Sequence, residues 1–302
     1  MSVFVANAPI SYGAFELTVG VDPSVPDPVD LLDLVRAAGY VGIDLGPVGY
    51  LGEGDELGQR LRERQLGLAG GYLELPFSEP DRLDAALSEL DALLDVFDRV
   101  THLPLAPKPT LADAGAPLRR ESLGRSATDP SFGFDDAAWG RFADGVARVV
   151  ARCRARGYEP TLHPEAGTYI EAEWEIDRAL ELTDIGLCLE TGHQLVGGGD
   201  ALATLRRWGD RINHVHVKDA SAAIVAGVVQ AGESVEEIWK RRAFCPLGTG
   251  DVAVAAILTE LQRQGYRGWM VVEQDIMPGP DDPGDAHRHQ VANRELLRTH
   301  GF

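Results

Sequence analysis

Short apolar runs alternate with longer stretches of helical periodicity along the whole chain. Runs at residues 3–8, 41–45, 68–73 and 100–105 read as the first four strands. The fourth is interrupted by Pro104 and closely followed by Pro107. Apolar residues three and four apart predict helices over 31–38, 57–65, 80–97 and 134–156, the last stopped by Gly157. In the second half four further runs each end in a polar cluster. These are Leu162-His163-Pro164-Glu165, Leu189-Glu190-Thr191-Gly192-His193, His214-Val215-His216-Val217-Lys218-Asp219 and Val272-Glu273-Gln274-Asp275. Helical patterns at 171–182, 200–208, 252–264 and 285–297 accompany them.

Strands of this length joined through helices pair in parallel, because each crossover needs a helix. Such an alternation in 302 residues predicts a closed (β/α)8 TIM barrel, one domain spanning 1–302. A doubly wound open sheet is the alternative, weakened by the missing glycine fingerprint after the first strand. Two stretches break the rhythm, 106–134 and 218–250, the second with a short helical piece near 234–240. Both leave from strand C-terminal ends, the active-site face of such a barrel, so both should shape or cover a pocket.

The barrel turns strand ends into a site. His163 or Glu165, then Glu190, His216 and Glu273, fall at the last inward positions of strands five to eight. Carboxylates with imidazole suit Mn²⁺, Mg²⁺, Co²⁺ or Zn²⁺ and leave positions open for substrate. His214 and His216 share one strand face, and His216 lies nearer the rim. His163 and Glu165 share a face if their strand continues that far.

The charge balance, 28 basic against 47 acidic residues, gives −19 and disfavours nucleic acid as a partner. No apolar run is long enough to span a membrane, and the N-terminus has no signal-peptide pattern. Three cysteines without a CxxC pair fit free thiols in a reducing compartment, so the cytoplasm is the expected location.

At the strand-end clusters the chain resembles the xylose isomerase-like barrels, including the sugar phosphate isomerase/epimerase group, and among them the inosose dehydratases. His163-Pro-Glu165-Ala-Gly167-Thr168-Tyr-Ile-Glu171 matches their HxHxGTxxE motif except at the second His. Glu190-Thr191-Gly192-His193 matches DTGH except at the Asp. Arg211-Ile-Asn-His214-Val-His216-Val-Lys218-Asp219 matches RxxHxHxKD. Gly265-Tyr266-Arg-Gly268-Trp269-Met-Val-Val-Glu273-Gln274-Asp275 matches GYxGWxxxEQD. Ile43-Asp44-Leu45-Gly46-Pro47 adds a weaker match.

The resemblance implies a divalent metal held by Glu190, His216, Glu273 and a strand-five group, with Glu165 expected there to offset the longer Glu190. It implies removal of a proton beside a ketone, with Glu273 as base. His163, Lys218 and Glu171 are the candidates for the acid that expels a hydroxyl or returns the proton. Lys218 gains weight because the chain holds only three lysines. His193, Asp219, Asp44 and Tyr12 are candidates for contacts to sugar hydroxyls, with Asn7 similarly placed. The expected activity is dehydration of a keto-inositol or keto-sugar. Alternatives are a sugar isomerase or epimerase, a β-eliminase of a 3-keto-glycoside, and a non-catalytic sugar-binding barrel. The partner is a small sugar or cyclitol, unphosphorylated because no basic cluster adjoins a strand end outside 106–125. A homo-oligomer is compatible with the fold.

Overall fold

The computed structural model describes residues 2–278 and 285–302. Its main sheet is a ring of parallel strands: β1 (Val3–Asn7), β2 (Gly42–Ile43), β3 (Gly67–Leu68 continuing as Gly70–Leu75), β4 (Lys108–Asp113), β5 (Thr161–Leu162), β6 (Gly186–Glu190), β7 (Ile212–Val217) and β8 (Gly268–Val272). β1 pairs with β8 from Val3 opposite Gly268 to Asn7 opposite Val272. The ring closes at β3. Its first part pairs with β2 and its second with β4. Ala69 between them donates to Ile43 and accepts from Lys108. The (β/α)8 TIM barrel expected from the sequence is therefore the observed fold.

Eight helices surround the ring: α1 (Pro28–Ala37), α2 (Asp55–Arg64), α3 (Pro80–Asp98), α4 (Asp136–Ala155), α5 (Glu173–Leu182), α6 (Ala201–Trp208), α7 (Val254–Gln264) and α8 (Asp285–Thr299). Local chemistry sets their ends. Asp27, Asp135 and Asp200 cap the first turns of α1, α4 and α6 through their carboxylates. Gly265, in the left-handed region, ends α7.

The strand predicted at 100–105 lies instead at Lys108–Asp113. Pro104 and Pro107 cannot donate to a ladder, so pairing begins only beyond them. The stretch 106–134 is consequently not one insertion, since its start is β4.

Alternation along the strands separates two cores. Leu187, Leu189, Val215, Val217, Met270 and Val272 point outward into the layer under the helices. Trp269 and Val271 point inward with Ala6 and Ala69. Trp269 fills the barrel floor because β2 and β3 place glycines against it. A Cβ on Gly42 would lie 2.5 Å from its ring and one on Gly67 2.9 Å. The same period of two carries β8 from Trp269 through Val271 to Glu273 at the open end.

The loop after β4 and the segment after β7 pack on each other above that end. Leu123 joins Val225, Val228, Val235, Ile238 and Phe244 in a separate apolar cluster. The β7 segment contains helices Ala222–Ala231 and Glu236–Lys240 and a two-stranded ribbon of Asp219–Ala220 with Phe244–Cys245.

Candidate active site

β5 ends at Leu162, and a turn closed by Thr168 N to Glu165 O follows it. His163 is thus the last inward residue, two after the inward Thr161. Glu165 lies in the following turn, where its backbone N–H donates to Ile170. His163, Glu190, His216 and Glu273 bring one ligating atom each to within 4.8 Å of one another. Glu165 is not in that set. Its carboxylate lies 3.2 Å from Nδ1 of His193 and 3.4 Å from Nδ1 of His163.

Glu190 Oε2 is the centre of the cluster. It lies 3.3 Å from His216 Nδ1, 3.5 Å from His163 Nε2 and 3.8 Å from Lys218 Nζ. Glu273 Oε2 lies 3.2 Å from His216 Nδ1 and 3.1 Å from Lys218 Nζ. Asp44, at the end of β2, approaches His216 from the other side, 3.4 Å from Nε2. His214 lies one inward position below His216, with ring centroids 4.9 Å apart.

Lys218 is buried and its Nζ is 2.7 Å from Asp275 Oδ1 and 3.0 Å from His193 Nε2. The start of the helix Thr191–Val196 makes this possible. Thr191 Oγ1 accepts from Lys218 N and donates to Lys218 O. A Cβ on Gly192 would sit 2.6 Å from Lys218 Cγ. Phe244 covers the group, 5.0 Å from Lys218 Nζ and 5.2 Å from the His193 ring. Tyr72 meets His163 edge-on at 5.4 Å.

Burial pulls the pKa of His163 down to about 4, so it stays a neutral imidazole at pH 7, the form that ligates metals. Burial pushes the Glu165 carboxyl up to about 7. Burial also works against the Lys218 cation, but Asp275, Glu190 and Glu273 outweigh it and raise its pKa. His193 is likewise raised against burial, chiefly by Glu165. Burial opposes the Glu273 anion, yet His216 and Lys218 hold it well below the usual carboxylate range.

Glu190 Oε2 and both ring nitrogens of His216 are buried without a hydrogen-bond partner among the described residues. Orphaned acceptors of this kind are costly unless a cation is shared among them. Two imidazoles and two carboxylates could therefore hold a metal ion.

Two expected site residues serve elsewhere. Asp219 accepts from the backbone N–H groups of Ala220 and Val252 with Oδ1 and of Gly248 and Gly250 with Oδ2. Four amides occupy both oxygens, so Asp219 shapes the β7 segment instead of meeting a sugar. Glu171 accepts from Arg119 at 3.1 Å and from Gly124 N at 2.7 Å, beside Glu175, and holds the loop after β4 against α5. Asn7 donates to Gln290 of α8 on the outer face of the barrel. Tyr12 is buried with its hydroxyl unpartnered and lines a cavity that also borders Asp275.

Tyr72 and Phe244, which also face the site, have no motif spacing to mark them in the sequence. Asp275 is part of the strand-eight cluster, and its sequence signal was present in the Glu-Gln-Asp triplet.

The family model described as xylose isomerase-like TIM barrel matches residues 32–298. A curated relative, the inosose dehydratase of Geobacillus kaustophilus, is 27% identical over 94% of this chain and 90% of its own. The solved structure of L-ribulose 3-epimerase superposes with a TM-score of 0.69 at 18% identity, covering 99% of this chain and 94% of that one. The probable 3-DHS dehydratase of Bacillus anthracis gives a TM-score of 0.66 at 13% identity, covering 98% of each. The two structural likenesses show the fold alone.

Proposed function

The chain belongs to the xylose isomerase-like TIM barrel family, and we propose that it is a metal-dependent lyase that removes water from a keto-inositol or related keto-sugar. The observation that carries this reading is the convergence of His163, Glu190, His216 and Glu273 at the open end of the barrel. Similarity to an inosose dehydratase over nearly the whole chain supports dehydration in particular.

In this reading His163, Glu190, His216 and Glu273 hold the divalent ion. Bound there, Mn²⁺, Co²⁺, Mg²⁺ or Zn²⁺ would supply a Lewis acid to a ketone oxygen. The roles given to strand five by the sequence are exchanged: His163 ligates and Glu165 handles the proton. Glu165 suits that task because its carboxyl titrates near 7, where a general base is most effective. Glu273, held low by His216 and Lys218, suits ligation better than proton abstraction. Glu165 takes the C–H proton, and that electron pair becomes the new C=C bond as the β C–O bond breaks. Its carboxyl then returns the proton to the departing hydroxide, and water leaves. His193, in contact with Glu165, orients the carboxylate. Lys218 offers its ammonium to charge developing on substrate oxygen.

The test is to load the purified protein with Mn²⁺ or Co²⁺, add a keto-inositol and follow ultraviolet absorbance. A rise from an unsaturated diketone supports the lyase. A rearranged sugar with no absorbance change indicates an epimerase sharing the first proton transfer. No reaction, with no bound divalent ion by elemental analysis, leaves a sugar-binding barrel.

A further inference from the structure

Next to the cluster lies a cavity of about 110 Å³, bordered by Asp275 and Phe244 on the catalytic side and by the first turn of α8 on the other. Among the hydrogen-bond donors that line it, Arg242, Tyr12 and His287 come from three separate parts of the chain. The Tyr12 side chain is 4% exposed and its hydroxyl has no partner. His287 Nδ1 is buried and also has none among the described residues.

The carboxylates in the same cavity are already engaged. Asp275 is held by Lys218 and by Trp239 Nε1, and Asp285 pairs with Arg288. Arg242 makes no ion pair or side-chain hydrogen bond among the described residues. Its backbone is in the left-handed region, φ 55°, just past the end of helix Glu236–Lys240. Glycine takes that conformation without strain, whereas arginine does not. A strained position that keeps a long cation directed at a cavity points to use of the side chain.

We infer that this cavity is a subsite for an anionic oxygen group of the substrate, a carboxylate or a phosphate, bound by Arg242, Tyr12 and His287. The inference rests on the lyase reading for the substrate's entry by this face. It replaces the expectation of a substrate without an anionic substituent. That expectation looked for basic residues adjacent in sequence, whereas these donors come together only in the fold.

The full chain and its Arg242→Gly variant are titrated calorimetrically with inorganic phosphate and with cyclohexanecarboxylate, neither of which can eliminate water. At least one anion should bind the wild type, and Arg242→Gly should weaken it by about tenfold or more. The melting temperature of the variant should not fall, since glycine relieves the backbone. Preference for phosphate identifies a phosphorylated sugar, and preference for the carboxylate identifies a cyclic keto acid. If neither anion binds, or both proteins bind equally, the subsite is overturned. Because binding is read without turnover, that result is separate from any failure of the lyase reading.

Discussion

Glu165 Oε1 lies 3.2 Å from His193 Nδ1, so a carboxylate from the turn after β5 faces an imidazole on the short helix Thr191–Val196 that follows β6. His193 in turn touches Lys218 through Nε2, at 3.0 Å. A chain of proton-bearing groups therefore runs beside the four-donor cluster without belonging to it. The acid–base role proposed for Glu165 rests on this contact.

Glu165→Gln should keep its bound metal and lose turnover by roughly 10²–10⁴-fold, the usual contribution of a positioned acid–base group. Elemental analysis and the absorbance assay check the two halves separately. Loss of metal in this variant would return Glu165 to the ligand set.

Glu190→Gln should weaken divalent binding the most, because its Oε2 is the shared centre of the cluster. Asp44→Asn should weaken it less, by roughly 10–100-fold, since Asp44 orients His216 from behind. Competition with a fluorescent chelator measures both. Equal affinities in Asp44→Asn and wild type would mean that Asp44 faces substrate instead.

Gly192→Ala should cost about 1–3 kcal/mol in denaturant unfolding, because its Cβ would press on the Lys218 stem at 2.6 Å. Turnover should fall with it as the ammonium leaves Asp275. A variant as stable and active as wild type would show that Lys218 can take another path.

Arg119 serves Glu171 and Glu175 at once, one buried cation for two buried carboxylates. Arg119→Met should destabilise the protein by about 3–5 kcal/mol, the range for a buried pair left unmatched. Chemical denaturation tests this, and a loss below 1 kcal/mol would place the network among surface-like ion pairs.

Burial pushes the Glu171 carboxyl from 4.5 up to about 7. A folded-state pKa above the unfolded one means that the folded chain holds the proton more tightly. The stability contributed is complete below about pH 4.5 and is lost as pH climbs through about 7. The size is on the order of 3 kcal/mol. Glu171→Gln should therefore flatten the fall in stability across that window, as followed by urea midpoints at several pH values. An unchanged profile would assign the fall to the other carboxyls that burial raises to about 7, Asp44, Asp113 and Glu165.

The sequence by itself determined the barrel and most of its rim. Helical and strand periods are local properties, so they located α1 to α8 and every strand except β4 to within a few residues. Period-two alternation likewise placed His216 and Glu273 inward, because a strand's facing is set by its own pleat. Tertiary structure decided the rest. Where β5 stops sets how far His163 and Glu165 reach toward the cluster, and that depends on the turn from Glu165 to Thr168 and the pairing of Glu165 with Ile170. Asp219 and Glu171 have the right residue type and spacing, yet backbone amides and Arg119 from distant segments claim their oxygens. Arg242, Tyr12 and His287 share a cavity although far apart in the chain. A local pattern fixes which way a side chain points, whereas its partner is fixed only when the barrel closes and brings remote groups within a few ångströms.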